Sequence, residues 1–151
     1  MSKNLKISKA DLNDAAVIAE FNRNMAKETE NFELHKDVIL NGVKNLIQQP
    51  ELGFYIVAKI ENQICGCLMI TKEWSDWRNG LIWWVQSVYI HPDYRRQGIF
   101  RKMYRFISEN AKERGIIGLR LYVEHTNSIA QKTYTDLGMK KCNYHIYEQF
   151  F

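Results

Sequence analysis

The stretch that most constrains this chain runs from Trp83 to Arg105, WWVQSVYIHPDYRRQGIFRKMYR. Its first half is rich in β-formers (Val85, Val88, Tyr89, Ile90) and breaks at His91-Pro92. A short polar loop carrying Arg95 and Arg96 leads to Gly98, and helical periodicity starts after that glycine. Strand, basic glycine loop and helix in this order form a phosphate-holding unit. The leading N–H groups of a helix lack intrahelical acceptors, and the helix dipole favours an anion there. Arg95, Arg96, Arg101 and Lys102 crowd the same helix end, where cations oppose the dipole by about 0.3–1 kcal/mol each. A bound polyanion would reverse that penalty.

The phase of the central strand, expected over Leu81 to Ile90, carries a second signal. Val85 and Val88 both look inward, yet they are three apart. Strict alternation forbids that, and one extra residue, a β-bulge, permits it. After Gly98, the residues Ile99, Met103, Phe106, Ile107 and Ala111 form an apolar helical stripe, with Gly115 as the terminating residue. Gly118 to Val123 reads as the next strand, so strand, helix and strand imply a parallel crossover.

The segment Val88-Tyr89-Ile90-His91-Pro92-Asp93-Tyr94-Arg95-Arg96-Gln97-Gly98-Ile99 resembles the acyl-CoA signature of the GNAT N-acetyltransferase superfamily, with Phe100 where a small residue is usual. Further on, Asn127-Ser128-Ile129-Ala130-Gln131-Lys132-Thr133-Tyr134 followed by Leu137-Gly138-Met139 is similar to a second segment of that family. The resemblance implies an α/β fold, with a mixed, mostly antiparallel sheet, a splayed parallel strand pair and helices on both faces. It implies acetyl-CoA as co-substrate, with Val88, Tyr89 and Ile90 along the pantetheine. Arg95, Arg96, Gln97, Gly98, Ile99, Phe100 and Arg101 would surround the diphosphate, and Asn127 would also contact the cofactor. It makes Tyr134 the general acid and puts Gln86 where many relatives carry a catalytic Glu. An amide cannot take a proton, so Gln86 would orient a water; Glu28, Glu30 and Glu124 are the candidate replacements.

The layout is most similar to small-amine and diamine acetyltransferases. The expected reaction is direct acetyl transfer to a primary amine, of a small molecule or a peptide, in a ternary complex. Glu28, Glu30 and Asp76 are the carboxylates expected to attract a cationic amine. The alternative is a catalytically weakened acyl-CoA sensor, motivated by Gln86 and Phe100. Such domains commonly form homodimers, and the aromatic C-terminal strand with Tyr144, Tyr147, Phe150 and Phe151 is the expected contact.

With 151 residues and 46% apolar content the chain is expected to form a single domain over 1–151. No apolar run reaches the roughly 18 residues of a membrane span, and the first residues lack a signal peptide's apolar core, so a cytoplasmic protein with no membrane partner is expected. A net charge of +4 suits an anionic cofactor. The cations gather at one loop and do not track a groove, which argues against nucleic acid. The four histidines show no ligand spacing, and Cys65 and Cys67 read as buried thiols on one strand face, so no metal is expected.

The rest of the chain reads as a strand at Leu5 to Ser8, then a helix capped by Asp11 and running to Ala26. Lys27 to Asn31 reads as a loop or a frayed helix end, and Asp37 to Gln48 as a second helix. Strands follow over Gly53 to Ile60 and Gln63 to Lys72, joined by Glu61-Asn62, with a loop from Trp74 to Gly80. A helix capped near Asn127 and closed by Gly138 leads to a last strand over Met139 to Phe150.

Overall fold

The computed structural model describes residues 4–151. It divides into two compact units, one ending at Leu121 and one spanning Tyr122–Phe151.

The first unit is built on a five-stranded sheet in the order β1-β2-β3-β4-β5. Its strands are β1 (Leu5–Lys9), β2 (Gly53–Ile60), β3 (Gln63–Ser75), β4 (Gly80–Ile90) and β5 (Gly118–Arg120). The first three pairings are antiparallel and β4–β5 is parallel. The β2–β3 turn uses Glu61 and Asn62, both at positive φ (52° and 65°), the pair of left-handed residues that matches strand twist in a two-residue hairpin.

Helices cover both faces. Helix α1 (Ala15–Glu30) and α2 (Lys36–Ile47) lie on one, and α3 (Ile99–Glu113) on the other. Residues of β2 alternate between the two cores: Ile56, Ala58 and Ile60 pack with Ile99, Met103 and Ile107 of α3, while Tyr55 and Val57 pack with Ile18, Phe21 and Val43. Cys65 and Cys67 are buried free thiols, and burial pushes the Cys67 thiol up to about 12. They meet different cores despite being two apart. The register shift between Ala58 and Lys59 leaves Cys65 as the extra residue of β3, between Ile64 and Gly66, so the two thiols do not share a face as expected.

Strand β4 contains the expected bulge. Gln86 pairs with Met69 and Tyr89 with Cys67, so two residues, Ser87 and Val88, stand opposite Leu68. Ser87 takes the left-handed conformation (φ 53°). Beyond the bulge the phase shifts, and Trp83, Val85, Val88 and Ile90 all join the α3 core while Tyr89 joins the other.

Several boundaries differ from the sequence reading. Asp11 caps a 3-10 turn, Leu12–Asp14, through a reciprocal box with Asp14, and α1 begins only after it. Helix α1 continues through Glu30 to a left-handed Asn31, so of the two readings for Lys27 to Asn31 the helix end holds, and its polarity marks an exposed last turn. Strand β3 runs on to Ser75, leaving Asp76 to Asn79 as the turn. Gly80, a turn signal in the sequence, instead admits Ile117, whose Cγ2 would lie 2.8 Å from an added Cβ. Strand β5 is only three residues long.

Glu73 ties three strands together. Its carboxylate accepts from Trp84 Nε1 at 2.7 Å on β4 and from Arg120 on β5 at 2.9 Å. The Trp84 bond and then the Arg120 contacts hold its carboxyl below the usual carboxylate range. Parallel pairing ends at this clamp, at Trp84–Arg120.

The second unit holds α4 (Ser128–Asp136), capped by Asn127, whose Oδ1 accepts from Ala130 N at 3.1 Å. Gly138 (φ 97°) ends it, with Met139 N donating to Tyr134 O at 3.0 Å. The last strand expected over Met139 to Phe150 does not form among the described residues; Tyr147 and Phe150 are 92% and 87% exposed. A strand exists only through a hydrogen-bonded neighbour, which alternation in sequence does not supply.

Two outcomes follow for stability. Ser87→Gly, relieving left-handed strain of about 1–2 kcal/mol, raises the denaturant midpoint, whereas Ser87→Val lowers it. Because the folded Glu73 carboxyl titrates below its unfolded value of about 4.3, its contribution is complete above that pH and is lost as pH falls through the folded value. Acid unfolding of Glu73→Gln therefore shows a shallower loss below about pH 4 than the unaltered chain.

Candidate active site

The open edge of β4 is the first element of the site. Beyond Trp84, no strand among the described residues pairs with the edge of β4 that faces away from β3. His91 N donates to Cys65 O at 2.8 Å, toward β3. Alternate residues turn their main-chain groups to opposite sides, so Ile90 presents its own at the open edge and Tyr89 turns toward Cys67. Of the three strand residues expected along a pantetheine, Ile90 offers main chain there, and Val88 lies in the bulge. Tyr89 contributes a side chain instead, buried under the loop. Ile90 is seated over Gly66, where a Cβ would come within 2.7 Å of its Cδ1.

The loop is the second element. Pro92–Tyr94 forms a 3-10 turn capped by His91, which accepts from Asp93 N at 3.2 Å. Arg96 (φ 63°) and Gly98 (φ 76°) are left-handed with Gln97 between them. Left-handed residues interleaved with right-handed ones curl a backbone into a concavity lined by N–H groups, a shape that binds anions. Lys102 N donates to Gly98 O at 3.1 Å, making Gly98 the N-cap of α3. The space beside Gly98 is open: an added Cβ would meet nothing within 4 Å. Glycine serves the backbone angle there, and a ligand can approach it closely.

The loop side chains divide by role. Arg96, Gln97 and Arg101 are exposed, and Gln97 Nε2 donates to Asp93 O at 3.4 Å. Ile99 is 4% exposed and belongs to the core, so only its main chain is available to a ligand. Phe100, the departure from the family signature, rests its ring near Tyr104 at 6.2 Å and packs against the α3 core. Arg95, though exposed, is engaged by its neighbours: Nε donates to Ile90 O at 2.8 Å and a terminal nitrogen to Glu28 Oε2 at 3.0 Å. Its guanidinium lies 5.2 Å over the Tyr89 ring. This contact was not legible in the sequence, because Glu28 lies 67 residues away.

Gln86 sits opposite Met69 just before the bulge, half-buried. Of the carboxylates considered as its replacement, Glu28 is engaged by Arg95, and Glu30 is exposed near the end of α1. In the second unit, Glu124 accepts from the Thr126 hydroxyl and, at 3.0 Å, from Thr126 N. The hydroxyl bond first, then the amide, holds its carboxyl below the usual range. Tyr134, on α4, is half-buried, and burial raises its phenol above the ordinary value. Asp76 caps the β3–β4 turn through Trp77 N at 2.9 Å. Among the described residues, no group of three or more His, Cys, Asp or Glu could hold a metal ion, and no helix is long and apolar enough to cross a membrane.

Acetyl-CoA carries a diphosphate and an extended chain of amides. The donors here suit both: helix-leading amides beside an open glycine for the first, and a strand edge with main-chain groups for the second.

Comparison with known proteins agrees with this chemistry. Residues 16–139 match the model of the acetyltransferase (GNAT) family. A possible acetyltransferase from Clostridium difficile 630 is 42% identical and superposes with a TM-score of 0.91, over 97% of each chain. A predicted acetyltransferase with acetyl-CoA from Clostridium acetobutylicum shares the fold at 19% identity and a TM-score of 0.79, over 96% of each chain. An aminoglycoside acetyltransferase from an uncultured soil metagenomic sample, in complex with sisomicin, does so at 18% and 0.79, over 97% of each chain. No curated protein matches the sequence. With the family model spanning most of the chain and a relative 42% identical over 97% of each chain, this chain belongs to the acetyltransferase (GNAT) family and is an acetyl-CoA-using N-acetyltransferase.

Proposed function

We propose that the protein acetylates a primary amine of a small molecule by direct attack in a ternary complex, in the manner of the small-amine branch of the family. The observation that carries this reading is the pairing of a β4 edge that has no strand partner beyond Trp84 among the described residues with an open, glycine-capped helix start eight residues after the strand ends.

The diphosphate would be held by main-chain N–H groups from Arg96 to Arg101, with Arg96, Arg101 and Lys102 supplying positive charge around them. Since backbone donors do this work, side-chain identity at Phe100 matters little. Val88 and Ile90 would carry the pantetheine along the strand edge. Val88 N–H would stabilise the oxygen that gains charge as the carbonyl is attacked. Acetyl-CoA supplies an activated acetyl group on a thioester, from which the amine takes the acetyl and the thiolate departs.

Tyr134 would protonate the departing thiolate. The reading rests on the resemblance of α4 to the family segment and on the raised phenol pKa, which keeps the proton in place at working pH. Asn127 would contact the cofactor in addition to capping α4. Gln86 cannot accept a proton, so the amine would lose its proton to water that Gln86 orients. Exposed Glu30 and the turn carboxylate Asp76 would favour a cationic acceptor. The exposed aromatic residues of the tail, Tyr144, Tyr147, Phe150 and Phe151, would be the contact of a homodimer, and the whole chain would act as one catalytic domain.

Calorimetry with coenzyme A and a thiol-release assay over a panel of amines test this. Diamines and small primary amines should give turnover; failure of the unaltered chain to bind coenzyme A overturns the reading. Tyr134→Phe should lower kcat by about 10²-fold or more, while affinity for acetyl-CoA stays unchanged. Because the phenol titrates above its usual value of about 10, the rate of the unaltered enzyme should show no descending limb from Tyr134 up to that pH.

A further inference from the structure

Arg95 lies within the cofactor signature, yet its side chain is committed elsewhere. Nε donates to Ile90 O at 2.8 Å, and a terminal nitrogen reaches both oxygens of Glu28, at 3.0 and 3.4 Å. Its guanidinium stacks 5.2 Å from the Tyr89 ring centre, and that ring meets Phe21 at 5.2 Å. Phe21 and Glu28 are seven residues apart on α1, on one face of the helix, so α1 supplies both ends of the clasp. The chain beyond Arg95 then enters the left-handed Arg96, a backbone state that persists for a non-glycine residue only when its surroundings fix it. His91 and Tyr94 hold the first part of the loop, through Asp93 N to His91 Nδ1, Tyr94 N to His91 O and the packing of Tyr94 on the α3 core, and the Arg95 contacts hold its last residue before Arg96.

We propose that Glu28 is the positioning residue of the diphosphate loop. By holding Arg95 across Tyr89 against Ile90 O, it fixes the turn from Arg96 to Gly98, and Arg95 acts as a tether, not as a phosphate ligand. The inference rests on the proposed cofactor site and assigns a role to a helix α1 carboxylate that lies outside it.

The test measures acetyl-CoA affinity by calorimetry, and kcat and KM for both substrates, on the full chain carrying Glu28→Gln, Arg95→Met, Arg95→Lys or both Glu28→Gln and Arg95→Met. Each single change should weaken acetyl-CoA binding by about five- to tenfold, and the double change by no more than either alone, the signature of one shared interaction. For Glu28→Gln, kcat and the acceptor KM should stay as they were. Arg95→Lys should fail to rescue, since an ammonium cannot bridge Ile90 O and Glu28 as a planar fork does; a phosphate ligand would tolerate lysine as a point charge. Rescue by lysine, additive losses, tighter binding in Glu28→Gln, or a loss of kcat with a displaced acid limb (Glu28 as base) would each overturn the proposal. So would a fall in Tm with equal losses for both substrates. Absence of binding in the unaltered chain instead overturns the cofactor site itself, and is told apart by appearing before any substitution.

Discussion

The structure depends on an asymmetry in β4: one edge is paired with β3 from Gly80 to Ile90, and the other has no strand partner beyond Trp84 among the described residues. Backbone amides and carbonyls require partners, and a strand interior seldom leaves a run of them open. Here the run is produced by two devices. The Glu73 carboxylate binds Trp84 and Arg120 at the last parallel pair, so pairing is strong up to that point and stops there. The bulge at Ser87 and Val88 then interrupts the regular ladder just beyond that point, and bulges increase local twist. An exposed strand edge is a hazard for a monomer unless something occupies it. A co-substrate built around amides is one such occupant.

The sequence revealed what is local and periodic. The stripe on α3 placed Ile99, Met103, Ile107 and Ala111 in the core, where they lie. The three-residue spacing of Val85 and Val88 pointed to the bulge, because two residues cannot share a strand face at that spacing unless one between them is extra. The glycine loop was equally legible, since Gly98 needs its left-handed angle and the helix pattern starts directly after it. Long-range pairing was not legible. Glu73 and Arg120 are 47 residues apart, and Glu28 and Arg95 are 67 apart; nothing in the composition of either segment marks a partner. The tail fails for a related reason: Tyr144, Tyr147 and Phe150 look like strand residues, but a strand is a property of two segments, and periodicity describes one.

The cations at the start of α3 show how a sequence-level conflict becomes information. Arg96, Arg101 and Lys102 stand where the helix dipole disfavours them, and Arg96 does so in a left-handed conformation. Local propensity and electrostatics both oppose this arrangement in the free chain. Such disagreements concentrate at functional sites, where a ligand supplies the missing term. Two or more negative charges at the amides beside Gly98 convert each cation from a cost into a contribution.

Bulge and loop are coupled through one carbonyl. Ile90 turns its main chain away from β3 because His91 has taken the β3-facing position, donating to Cys65 O. The Ile90 oxygen is therefore free of the sheet and accepts from Arg95. In the same register Tyr89 faces the α1 side, where its ring lies beneath the Arg95 guanidinium, and desolvation, then Glu28, raises its phenol. Without the extra residue at Ser87, the strand could not send Trp83 and Val85 into the α3 core and still deliver Ile90 to that core and Tyr89 to the other. The strained residue in the strand thus sets the phase that the strained residue in the loop relies on. A single phase shift connects core packing on both faces to the aim of the amides at Gly98.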